Sequence, residues 1–91
     1  MAAVTVSLVF DAEVVDVRFD AAQPLTAAVR VLGERGVVPF SALSVLAFRS
    51  ALLGRVVSAV RPFVEEGGVD GDVLTAITGS FVVSQDLGVS L

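Results

Sequence analysis

Asp70-Gly71-Asp72, Glu65-Glu66 and Gly67-Gly68 are the groups in this chain whose types and spacing bear on chemistry. Two carboxylates either side of a glycine resemble part of a cation loop. A calcium loop, however, takes further oxygen ligands at alternate positions and a distal glutamate, and neither follows here. The expected use of Asp70 and Asp72 is turn formation. Glu65 and Glu66 read as a solvated helix end rather than an acid–base pair. Gly67-Gly68 is no phosphate cradle, since no lysine or Ser/Thr follows at P-loop spacing. The serine and threonine hydroxyls have no activating base, because the chain has no histidine and no lysine. Cysteine is absent too, which removes disulfides, thiolate metal sites, iron–sulfur clusters and thiol nucleophiles. These residues predict a protein that is not an enzyme, with no cofactor, no metal and no small-molecule substrate.

The features suited to binding are apolar and cationic. Leu46, Phe48, Arg49, Leu52 and Leu53 form one candidate contact stripe, with Arg55 just beyond it. Residues 37–64 hold Arg49, Arg55 and Arg61 and no acid, a charge of +3 within a chain of net −4. Three arginines without lysines or interleaved aromatics are too few for a nucleic-acid footprint and suit a polar protein contact better. Alternation leaves a second possibility open, with Leu46 and Phe48 inward and Val45 and Ala47 outward. The second candidate is the apolar stretch Phe81-Val82-Val83 between Gly79 and Gly88. Left free in water it is an aggregation liability. It is expected to add a strand to its own sheet or to a neighbouring subunit.

Hydrophobic residues make up 55% of the chain before its eight glycines are counted, against a usual apolar share of about 45–50% with glycine included. The longest charge-free stretches, 36–48 and 73–85, are 13 residues each, too short for a membrane span. The apolar excess therefore signals either surface hidden against a partner or a Val/Ala-rich composition of genomic origin. Met1-Ala2-Ala3-Val4 lacks the basic segment of a secretory leader. The expected location is cytoplasmic, or within a virion or other assembly.

The elements that would position these residues follow from periodicity. Val4, Val6, Leu8 and Phe10 alternate with smaller or polar neighbours, and Val15, Val17 and Phe19 do so again after Asp11-Ala12-Glu13. The pattern predicts an antiparallel hairpin. Leu25, Ala28, Val29 and Leu32 recur at helical spacing after Pro24, with Gly36 placed for a left-handed cap. Residues 43–48 read as a third strand and 55–60 as a short fourth strand, with a single helix over 51–60 as the alternative. Pro62 to Gly67 predicts a short helical turn, Asp70-Gly71-Asp72 a tight turn, and 73–77 a last strand. This order predicts an α+β fold: a sheet covered on one side by a single helix.

Strand, strand, helix, strand, short strand, helical turn and strand is also the order of ubiquitin and its relatives, which residues 4–77 resemble. Pro24-Leu25-Thr26 through Val38-Pro39 is similar to that family's central helix and the proline-marked loop after it. Gly68-Val69-Asp70-Gly71-Asp72-Val73-Leu74 resembles the approach to its final strand. This second segment is similar to the small ubiquitin-like proteins of bacterial type VII secretion loci and to the cytosolic ubiquitin-like domain of their channel subunit. The resemblance implies a β-grasp domain over 1–77, with a mixed sheet of four to five strands on one helix. Residues 78–91 would be a C-terminal extension. It also implies that the third strand offers its outer face to partners. Conjugating ubiquitins and sulfur carriers end in Gly-Gly, whereas this sequence closes on Leu87-Gly88-Val89-Ser90-Leu91. Plant-type ferredoxins of the same fold need four cysteines. The implied function is a non-covalent protein-interaction subunit of a homo- or hetero-oligomeric assembly, of the type VII secretion accessory kind. The alternatives are a virion or other shell component, and a small accessory subunit of a multicomponent oxygenase.

Overall fold

The computed structural model describes residues 3–77, the side chain of Phe40 excepted. Strands β1 (Ala3–Phe10) and β2 (Glu13–Asp20) form a hairpin, followed by the helix α1 (Leu25–Glu34). A 3-10 turn (Phe40–Ser44) leads to β3 (Ala47–Ser50) and β4 (Arg55–Ser58). A second 3-10 turn (Phe63–Glu66) precedes β5 (Val73–Ala76). The five strands form one mixed sheet in the order β2-β1-β5-β3-β4, with β1 and β5 parallel and the other pairs antiparallel. This is a ubiquitin-like β-grasp arrangement, the α+β architecture expected from the residue pattern.

Period-two alternation decides which side of the sheet is buried. Val6, Leu8 and Phe10 of β1, Phe48 of β3, Val57 of β4 and Leu74 of β5 all point to the helix side and are buried. Leu25, Ala28, Val29 and Leu32 of α1 face them, as their spacing predicts. Phe10 and Phe48 meet edge to face at 5.9 Å, a favoured aromatic geometry. The helix stops at Gly36, whose φ of 71° is the left-handed conformation. The Gly36 amide donates to Gly33 and the Val37 amide to Leu32, closing the helix with the paired bonds of a Schellman cap. Pro24 stands at the N-cap rather than inside the first turn.

The strand expected over 43–48 is displaced. Residues up to Ser44 form the 3-10 turn, and β3 begins only at Ala47. Pairing sets this register: Phe48 lies opposite both Val57 and Ala76, and Ser50 opposite Leu74. The region 51–60 is resolved as a four-residue turn and the strand β4, not a helix. The second 3-10 turn is tied to the start of α1. The Phe63 amide donates to Gln23, the Val64 amide to Ala21, and the Thr26 amide to Ala59.

Candidate interaction surface

Three of the four carboxylates singled out in the sequence, Asp70, Asp72 and Glu66, accept hydrogen bonds from backbone amides. Asp70 accepts from the Thr5 amide at 2.7 Å, while Gly71 donates to the Thr5 carbonyl at 2.8 Å, so this turn clamps β1. Asp72 is 1% exposed. Its Oδ1 accepts from the amides of Leu52 at 3.0 Å and Val73 at 2.7 Å. Its Oδ2 accepts from the Ser50 hydroxyl, and Ser50 Oγ in turn accepts from the Leu53 amide at 3.0 Å. One buried carboxylate thus holds the β3–β4 turn against the start of β5. Glu66 accepts from the Ser58 amide at 2.7 Å. No cluster of three or more potential metal-ligating side chains of His, Cys, Asp or Glu occurs among the described residues.

The face of the sheet opposite α1 is left without a covering element among the described residues. Register places Val14, Val9, Thr75, Arg49 and Val56 in one row across all five strands. Arg49 must point outward because both its neighbours, Phe48 and Ser50, are buried. Val56 is its direct cross-strand partner and is 47% exposed. Leu46 and Leu52 bracket β3 and are 63% and 62% exposed. Val73 of β5 is exposed on the same face. The result is a cation set among aliphatic side chains.

The three arginines of the acid-free stretch have different environments. Arg61 pairs with Glu65 at 3.3 Å and Glu66 at 3.6 Å. Arg55 donates to the backbone carbonyls of Glu66 and Val56. Arg49 makes no ion pair or side-chain hydrogen bond among the described residues.

Of the residues expected in the contact stripe, Leu46, Arg49, Leu52 and Arg55 are exposed around β3 and β4. Phe48 is fully buried and belongs to the core, which corrects its assignment to the surface. Leu46 immediately precedes β3 and is exposed although it is two residues from the buried Phe48. Leu53 is half-buried and packs on the core. Phe81, Val82 and Val83 lie outside the described residues. Val56, Val73 and Thr75 were not anticipated; their outward phase follows only once Phe48 and Leu74 are known to point inward.

These features can be compared with known proteins. No family model matches the chain, and no curated protein matches it in sequence. A solved structure does. The ubiquitin-like domain of an Arabidopsis thaliana protein, determined by solution NMR, is similar at a TM-score of 0.64 and 13% identity. The similarity covers 94% of this chain and 87% of that one. It shows the ubiquitin-like fold. No helix among the described residues is long and apolar enough to cross a membrane.

Proposed function

We propose that this chain is a non-catalytic, ubiquitin-like protein-interaction module that binds its partner through the outer face of β3, β4 and β5. The observation that carries the reading is Arg49. It is exposed, makes no ion pair or side-chain hydrogen bond among the described residues, and lies opposite Val56, with Leu46 and Leu52 exposed just before and just after β3. An arginine ringed by aliphatic side chains is the arrangement of an interface hot spot, where surrounding contacts exclude water from a charge pair. The partner it suits presents an acidic group within an apolar patch. The domain would act as a small subunit of a larger assembly, and the type VII secretion accessory proteins are the kind of subunit its final-strand segment resembles.

The test is recovery of the tagged protein from its own host, followed by native mass spectrometry, with wild type, Arg49→Glu and Leu52→Asp in parallel. The reading expects a stoichiometric partner with wild type that is lost with both variants, while each variant keeps the wild-type melting temperature. Equal recovery of that partner by all three proteins would overturn it.

A further inference from the structure

A concave surface lies on the helix side of the sheet, away from Arg49. It is a groove of about 650 Å³ between the β1–β2 turn, the end of α1 and the first 3-10 turn. Phe10, Val38, Ala42 and Val45 line it, and each of these also belongs to the buried core. Its floor is therefore continuous with the core.

The topology ends β5 between two strands that lead to this groove. β5 runs parallel to β1 and lies between β1 and β3. Val9 lies opposite Thr75, Phe48 opposite Ala76, and the Ile77 amide donates to the Ala47 carbonyl. The chain thus leaves β5 between the end of β1, at Phe10, and the approach to β3, at Val45. Both residues line the groove. Fourteen residues follow Ile77, and those from 78 to 85 carry no charge. Phe81 is four residues on, about 13 Å of extended chain at roughly 3.3 Å per residue, with Gly79 available for a bend.

We propose that Phe81-Val82-Val83 folds back on its own molecule and seats in this groove, Phe81 against Phe10, Val38 and Val45. An attached segment has an effective concentration in the mM range when its linker matches the span, so it outcompetes a free partner of like composition. Asp11 and Glu13 also line the groove. They disfavour an acidic occupant and leave a neutral apolar segment unopposed. The groove and the Arg49 face are on opposite sides of the sheet, so the two readings stand or fall separately.

The chain has no tryptophan or tyrosine, so Phe81→Trp in the full-length protein introduces a sole reporter. The proposal expects blue-shifted emission and a Stern–Volmer constant for iodide several-fold below that of free tryptophan, both independent of protein concentration. Adding Val37→Asp, at a lining position that is 45% exposed, should restore full quenching with an unchanged far-UV circular dichroism spectrum. Ser41→Arg, at another exposed lining position, replaces it if that variant unfolds. Three results would overturn the proposal. The tryptophan could be fully accessible at all concentrations, protection could appear only as concentration rises, or protection could survive both groove variants. The second outcome assigns the groove to another copy, and the third places the segment elsewhere.

Discussion

Removal of the Asp72 carboxylate is the sharpest perturbation of this fold. In Asp72→Ala three donors lose their acceptor at once: the Leu52 amide, the Val73 amide and the Ser50 hydroxyl. Hydrogen bonds to a charged group contribute about 1.5–3 kcal/mol each. Their sum is reduced because burying a carboxylate costs several kcal/mol, which the truncation recovers. The Leu52 amide is only part-buried and can turn to water. Ser50, at 1% exposure, is stranded. The net loss expected is about 2–4 kcal/mol, taking the single stranded hydroxyl and the lost charged bonds together. Against the total of about 5–15 kcal/mol usual for native proteins, that is a large fraction. At roughly 4–8 °C per kcal/mol, the melting temperature should fall by about 10–25 °C. Asp72→Asn keeps one carbonyl oxygen for the two amides and turns its NH2 toward Ser50 Oγ, so it should cost less, about 1–2 kcal/mol. Urea unfolding at a constant m-value measures both. Residues in one network are coupled, so Ser50→Ala and Asp72→Ala should be non-additive by about 1 kcal/mol or more. A loss below about 1 kcal/mol for Asp72→Ala, or strict additivity with Ser50→Ala, would refute the reading that this network holds the β3–β4 turn.

Other outcomes follow from single contacts. A Cβ on Gly68 would lie 2.4 Å from the ring of Phe63, which is fully buried. Gly68→Ala should therefore cost about 1–3 kcal/mol by overpacking, and Phe63→Leu in the same chain should recover part of that loss in a thermal melt. Gly33 is helical, and its added Cβ meets only the Leu43 side chain at 3.0 Å. Because that side chain is exposed and able to move, Gly33→Ala should stabilise the protein by about 0.5–1 kcal/mol through helix propensity, read as a higher urea midpoint. Arg61→Ala breaks one ion pair between exposed side chains and a longer one to Glu66, which is 14% exposed but keeps its hydrogen bond from the Ser58 amide, so its melting temperature should stay within a few degrees of wild type. Arg49→Glu should leave stability within about 0.5 kcal/mol while abolishing partner recovery.

The parts of the fold legible in the sequence are those where local pattern and tertiary burial agree. The hairpin of β1 and β2 and the helix face Leu25, Ala28, Val29 and Leu32 follow from period alone. So does the cap at Gly36, where only a left-handed residue can accept the last turn. The stretch 43–48 was not legible. Val45, Leu46, Ala47 and Phe48 are apolar in succession, and a run without alternation does not declare its phase. The phase is set from outside, by β5 pairing with β3 and by Asp72 holding the turn beyond it. Both contacts span twenty or more residues of sequence. For the same reason Phe48 could be grouped with Arg49 on the surface and Val56 could not be assigned a face.

The apolar excess of the composition can now be divided between its two explanations. Val31, Val37 and Val69 are exposed on separate elements, and scattered exposed aliphatics are normal on any soluble surface. A Val-rich composition alone would give such a scatter. Val14, Val56 and Val73 are different, because they are exposed on one sheet face together with Arg49, which has no ion pair or side-chain hydrogen bond among the described residues. That concentration is what compositional drift does not supply, and it is why Arg49 rather than the overall hydropathy bears the functional proposal. Neutral aliphatic substitutions on the separate valines should leave partner recovery unchanged, whereas Val56→Ser should weaken it without lowering the melting temperature by more than a few degrees. If Val31→Ser and Val56→Ser weaken recovery equally, the clustered face has no privileged role, and the excess is compositional after all.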